Sequence, residues 1–241
     1  MNRNQPFFGQ QSGIIIAADV QDLKQLRELA SMSCEFTEVV AIKVGFMLGL
    51  RFGLPAIVKC VRDVCGLEII YDHQKAGTDI PEMGQPFARA CRDAGVNGVI
   101  FFPHAGPKTL EGFVKAAFDA ELTPAVGLVM THGAYLESEG GYIVDDAPDR
   151  IAESAIGLGV ANFVLPGTKP EVIKHFASGR LAELKSASIM MPGIGSQGGS
   201  LTSAFRAAEP HRRLAIVGSA IYRANDRRAA LQTFIEEMNN G

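Results

Sequence analysis

Between positions 72 and 79 the chain reads Asp-His-Gln-Lys-Ala-Gly-Thr-Asp, so one lysine, Lys75, stands between two carboxylates, Asp72 and Asp79, with His73 beside them. The stretch opens as an apolar run from Leu67 to Tyr71, which reads as a buried strand. Two arrangements suit these charges. In one they form a solvated ion pair at the mouth of a loop. In the other water is excluded: the aspartates hold the lysine protonated and the lysine holds the aspartates ionised. The second arrangement can deliver a proton and repel an incoming anion.

Two more charges end apolar runs. Asp19 lies at the end of Gly13 to Val20, and Lys43 lies near the end of Val39 to Gly45. If these runs are the first two strands of an α/β domain and Leu67 to Asp72 the third, Asp19, Lys43, Asp72 and Lys75 stand at consecutive strand ends. Alternating signs make their burial tolerable, and such a cluster reads as a site rather than as scattered surface charge.

The elements that must position them follow in order. Further strands are read at Val96 to Pro103, Ala125 to Met130, Ala161 to Leu165, Ala187 to Met191 and Leu214 to Val217. Helical periodicity lies between them. Leu23, Leu26, Leu29 and Ala30 share a face, as do Leu110, Phe113, Val114, Ala117 and Phe118, and Leu231, Phe234, Ile235 and Met238. One apolar helical stretch spans Phe46 to Cys65, and others cover Glu82 to Ala94, Arg150 to Leu158 and Thr202 to Ala208. The Thr168-Lys-Pro-Glu171 spacing is that of a capping box opening a helix. The longest connection, Thr131 to Asp149, is a candidate lid. Eight βα units in this length predict a single-domain (β/α)8 TIM barrel over 13–241, preceded by a polar N-terminal extension, 1–12. Periodicity alone also suits a doubly wound sheet, but no GxGxxG follows the first strand.

Glycines cluster after the last two strands: Gly193, Gly195, Gly198 and Gly199, then Gly218 followed by Ser219. These loops are where α/β barrels often hold phosphate, through backbone N–H groups.

Composition limits the rest. The chain has 241 residues, is 47% hydrophobic and 20% charged, and carries a net charge of −3 without basic blocks, which argues against nucleic acid as a partner. No apolar run approaches the roughly 18 residues of a membrane span, and the polar start lacks the apolar core of a signal peptide. The expected location is therefore cytoplasmic. Cys34, Cys60, Cys65 and Cys91 show no CxxC spacing and are expected to be reduced, buried thiols rather than disulfides or metal ligands.

From Gly13 to about Tyr222 the chain resembles the orotidine 5′-phosphate decarboxylase family. Asp19 and Lys43 match that family's aspartate and lysine ending strands one and two. Asp72, Lys75 and Asp79 before Ile80-Pro81 match its Asp–Lys–Asp signature, the most specific signal. Two positions depart from it. Here two residues separate Asp72 from Lys75 and three separate Lys75 from Asp79, each gap one longer than usual, and Ser219 stands where the family commonly has an arginine, with Arg223 nearby.

The resemblance implies decarboxylation of orotidine 5′-phosphate to UMP in pyrimidine synthesis, with no metal or organic cofactor. It implies catalytic roles for Lys75 as proton donor, Asp72, Asp79 and Lys43. Asp19 and Lys43 would hold the ribose, and Thr131, Pro192 and Ile194 would face the pyrimidine. Gln197, Gly198, Gly218 and Ser219 would face the phosphate. It also implies a homodimer in which Asp79 and Ile80 reach into the partner's site. Two alternatives are a Mg²⁺-dependent sugar-phosphate enzyme of the same fold, of the keto-gulonate phosphate decarboxylase or hexulose phosphate synthase type, and a non-catalytic nucleotide-binding barrel. Lys43 disfavours the first, since that branch typically has glutamate there.

Overall fold

The computed structural model describes residues 7–74, 78–184 and 187–240. Eight parallel strands close into one barrel in sequence order: β1 (Ser12–Ala17), β2 (Val39–Gly45), β3 (Glu68–Asp72), β4 (Gly98–Phe101), β5 (Thr123–Gly127), β6 (Asn162–Val164), β7 (Ser188–Pro192) and β8 (Arg212–Val217), with β8 pairing back to β1. Among the described residues this closure leaves no sheet edge, and the sheet is a barrel rather than an open, doubly wound one.

Side chains alternate across each strand. Ile14 and Ile16 face the outer helices, whereas Ile15, Ala17, Ile70, Ile100, Ala125, Val164, Met190, Leu214 and Ile216 fill the lumen. Phe8 is buried among the lumen residues and the Phe7 N–H donates to Asn162 Oδ1 at 2.9 Å, so this end of the N-terminal stretch packs into the barrel.

The helices described are α1 (Leu23–Ser33), α2 (Phe46–Phe52), α3 (Leu54–Arg62), α4 (Gly84–Asp93), α5 (Pro107–Asp119), α6 (Ala147–Gly157), α7 (Pro170–Ser178), α8 (Leu201–Ala207), α9 (Ser219–Tyr222) and α10 (Arg227–Asn240). The expected single helix over Phe46 to Cys65 is two. Gly53 adopts φ +73° between α2 and α3, and Pro55 opens the second helix. The expected capping box at Thr168 does not form. Lys169 holds the N-cap position, Pro170 supplies a preset first turn, and Thr168 Oγ1 is buried without a hydrogen-bond partner among the described residues.

The expectation of four reduced cysteines is also corrected. Cys60 and Cys91 are free and buried, but Cys34 and Cys65 form a disulfide, their Cα atoms 5.6 Å apart. Each follows the carboxyl end of a helix, Cys34 after α1 and Cys65 after α3, and those two helices pack against each other. The repeat therefore brings the two together although they stand 31 positions apart in the sequence. Among the described residues no helix is long and apolar enough to cross a membrane.

Candidate active site

β2 places Lys43 in register with Ala17 of β1 and Ile70 of β3, all facing the lumen. Two residues beyond Ile70, Asp72 repeats that orientation. Lys43 is only 7% exposed and Asp72 9%. Lys43 Nζ lies 2.9 Å from Asp72 Oδ2 and 3.5 Å from Asp19 Oδ1. Burial alone would lower the lysine's pKa, but Asp72 and Asp19 outweigh it, and the ammonium is held above its ordinary value. Asp19, two residues past β1, is half-exposed. Asp72 Oδ1 is buried with no hydrogen-bond partner among the described residues.

These charges form one side of a cavity of about 250 Å³ at the carboxyl end of the barrel. Ile100, Phe102, Val164 and Ile216 give it an apolar floor, and Thr131, Pro192, Ile194, Gln197, Gly218 and Ser219 complete its wall. Gly127 makes room for the floor: a Cβ there would fall 2.2 Å from the Phe102 ring, so no larger residue fits unless the ring moves. At the far end the Ser219 hydroxyl donates to Ser196 Oγ at 2.6 Å. A depression of about 620 Å³ adjoins the cavity, shares Asp19, Lys43, Asp72 and Gln74 with it, and is walled by Phe46, Met47, Leu48 and Leu50.

The site residues read from the sequence divide into groups. Asp19, Lys43, Asp72, Thr131, Pro192, Ile194, Gln197, Gly218 and Ser219 meet in this cavity. Lys75 lies outside the described residues. Asp79 and Ile80 are exposed and do not line their own chain's cavity. The Asp79 carbonyl accepts from Thr109 Oγ1 at 2.7 Å, which ties that loop to α5. Gly198 turns the loop at φ +89° but is not in the wall. Arg223 is exposed and lies over the Tyr222 ring, 5.7 Å from its centre, outside the cavity.

Residues not singled out from the sequence also line the cavity, among them Gln74, Phe102, Ser196 and Tyr222. Strand alternation carries the signal for Phe102, two residues beyond the lumen-facing Ile100. Ser196 lies beside Gln197 in one loop, but its pairing with Ser219 depends on the meeting of two loops.

His73 Nδ1 lies 2.9 Å from the Tyr71 hydroxyl, whose pKa burial pushes up to about 12, with Cys91 and Asp72 adding to the rise. His104 Nε2 lies 3.0 Å from the Tyr135 hydroxyl, and His132 is exposed with its ring 6.2 Å from that of Tyr135.

A closed parallel barrel with a buried ammonium between carboxylates at its strand ends, facing a glycine-rich pair of loops, has the form of a barrel enzyme working at its C-terminal face. Comparison with known proteins makes this specific. Residues 12–234 match the model of the orotidine 5′-phosphate decarboxylase / HUMPS family, and the chain belongs to that family.

Among its relatives, the orotidine 5′-phosphate decarboxylase of Pyrococcus abyssi is 31% identical over 93% of this chain and 98% of that one. That of Thermococcus kodakarensis is 30% identical over 95% and 98%. Among solved structures, the Methanocaldococcus jannaschii orotidine 5′-monophosphate decarboxylase complexed with inhibitor BMP superposes with a TM-score of 0.82, at 25% identity over 95% of this chain and all of that one. The Pyrococcus horikoshii OT3 enzyme gives 0.77, at 29% identity over 94% and 99%.

Proposed function

We propose that the chain is an orotidine 5′-phosphate decarboxylase, releasing CO₂ and forming UMP without metal or organic cofactor. The observation that carries this reading is Lys43, buried at the cavity edge between Asp72 and Asp19, in a chain of this family. Loss of CO₂ leaves an electron pair at C6 of the pyrimidine, which must be stabilised and then protonated. Lys75, three residues after Asp72 in the chain, is assigned both tasks. Asp72 faces the departing carboxylate, and its Oδ1, buried and without a partner among the described residues, can destabilise a second anion there. Asp19 and Lys43 hold the ribose hydroxyls and orient Asp72. Thr131, Pro192 and Ile194 receive the base, and Gln197, Gly198, Gly218 and Ser219 receive the phosphate, whose remote binding energy favours the transition state.

Asp79 and Ile80 are assigned to the site of a second copy. Their exposure outside their own cavity supports this, as does the exposed apolar set Phe46, Met47, Leu50 and Met83 around the same strand ends. A Mg²⁺-dependent sugar-phosphate reaction is less well served, because the Lys43 ammonium lies between the two carboxylates a cation would need.

The test is the ultraviolet absorbance of orotidine 5′-phosphate on addition of chelator-treated protein. Conversion to UMP is expected. UMP binding without turnover would leave a nucleotide-binding barrel. Turnover of sugar phosphates with Mg²⁺, and none of orotidine 5′-phosphate, would replace the reading with the other branch.

A further inference from the structure

Tyr135 is 6% exposed in the middle of an exposed connection, and its hydroxyl reaches two other parts of the chain. It donates to the Leu128 carbonyl at 3.4 Å, and His104 Nε2 lies 3.0 Å away. His104 belongs to the loop after β4, two residues beyond Phe102 of the cavity floor, and the two rings are 5.8 Å apart. Burial keeps the imidazole below its ordinary pKa, so it is neutral at neutral pH and can share a hydrogen bond with a neutral phenol.

After Tyr135 the chain folds on itself. The Tyr135 N–H donates to Glu139 Oε2 at 3.2 Å, Gly141 N–H to the Leu136 carbonyl at 2.7 Å, and Glu137 N–H to the Ile143 carbonyl at 2.7 Å. Glu139 Oε1 accepts from Lys169 Nζ at 2.6 Å, fixing the same segment to the loop after β6. The connection expected as a lid is therefore pinned from Tyr135 onward. Between this pin and Met130, which lines the cavity, lie only residues 131–134. Thr131 faces the cavity, His132 and Gly133 are exposed, and Ala134 turns at φ +55°.

We propose that His104 and Tyr135 are positioning residues that pin this short arch so that Thr131 presents its hydroxyl to the substrate base. The proposal rests on the decarboxylase reading for its substrate, but the pinning rests on the geometry alone. Neither residue lines the Lys43 cavity, so any effect on binding passes through Thr131 and the arch.

Tyr135→Phe keeps the ring and removes the hydroxyl. His104→Leu removes the partner, and His104→Gln offers an amide in its place. Turnover of orotidine 5′-phosphate, affinity for UMP and thermal melting would be read for each variant. Loss of one hydrogen bond's worth of positioning raises KM and the Kd for UMP about tenfold for Tyr135→Phe and His104→Leu, with kcat within about twofold. His104→Gln recovers most of the loss. In a Thr131→Ala background the same substitutions add no further weakening, because the group they position is gone.

A drop in melting temperature with KM and Kd unchanged would overturn the proposal and leave the pair a purely structural contact. A tenfold effect persisting in the Thr131→Ala background would overturn it as well. Wild-type protein that neither binds UMP nor turns over orotidine 5′-phosphate would instead sink the decarboxylase reading, and this proposal with it.

Discussion

Lys43 Nζ donates to Asp72 Oδ2 at 2.9 Å inside the barrel mouth, yet Asp72 Oδ1 beside it is buried and has no hydrogen-bond partner among the described residues. One carboxylate is thus half neutralised and half available. Lys43→Met removes the ammonium paired with the buried Asp72 Oδ2, at a cost of about 3–5 kcal/mol in stability and about 100-fold or more in turnover. Lys43→Met/Asp72→Leu removes both charges and recovers the stability without recovering activity. Denaturant melts and turnover read the two separately. Equal stability of the single and double variants would refute the coupling.

The same pair sets an alkaline limit. The folded-state pKa of Lys43 is raised, so its contribution to stability is complete below the unfolded value of 10.5 and is lost as pH rises through the folded value. Wild-type stability should fall above about pH 10.5, and the fall should be shallower in Lys43→Met/Asp72→Leu. Urea midpoints between pH 8 and 11.5 would show it; parallel curves would assign the fall to other groups.

At the proposed phosphate end, the described cavity wall offers the hydroxyls of Ser196 and Ser219, the Gln197 amide and glycine backbone, with Arg223 outside it. Ser219→Arg should tighten UMP relative to uridine about tenfold by adding a charge-assisted pair. Arg223→Ala should change that ratio less than about twofold. Calorimetric affinities for both ligands test this, and a large loss in Arg223→Ala would move the phosphate toward the Tyr222–Arg223 side.

The Cys34–Cys65 bridge closes a loop of sequence separation 31 that includes β2 and Lys43. Chain-entropy reasoning assigns a loop of that size about 4 kcal/mol, or about 10 °C in melting temperature for a chain of this length. Melting with and without a thiol reductant, against a Cys34→Ser/Cys65→Ser variant insensitive to it, measures the effect. Identical melting in all samples would show that the bridge contributes nothing.

Leu50 is 78% exposed and Ile80 59%. If these faces meet in a homodimer, Leu50→Asp and Ile80→Asp each yield monomer in sedimentation and lose most turnover, because the Asp79 loop is withdrawn from the neighbouring site. Monomeric wild-type protein with full activity would dispose of the shared site.

The sequence by itself determined the barrel and most of its mouth. Each strand is an apolar run bounded by polar or glycine punctuation, and β2 is legible to the residue, Val39–Gly45, because Gly45 stops it and Glu38 precedes it. Once strands alternate with helices, the carboxyl ends share one face, so Asp19, Lys43 and Asp72 had to be neighbours. The reading of the helices missed two local signals. Gly53 splits a continuous apolar stretch, and Pro170 takes the helix start that the Thr168 spacing suggested.

Only the tertiary structure decided the Cys34–Cys65 bridge, the Ser196–Ser219 hydrogen bond and the His104–Tyr135 contact, each of which joins different βα units. Periodicity fixes which way a side chain points from its own element. It carries no information on the stagger between elements, which is set when all eight strands close and the helices pack around them.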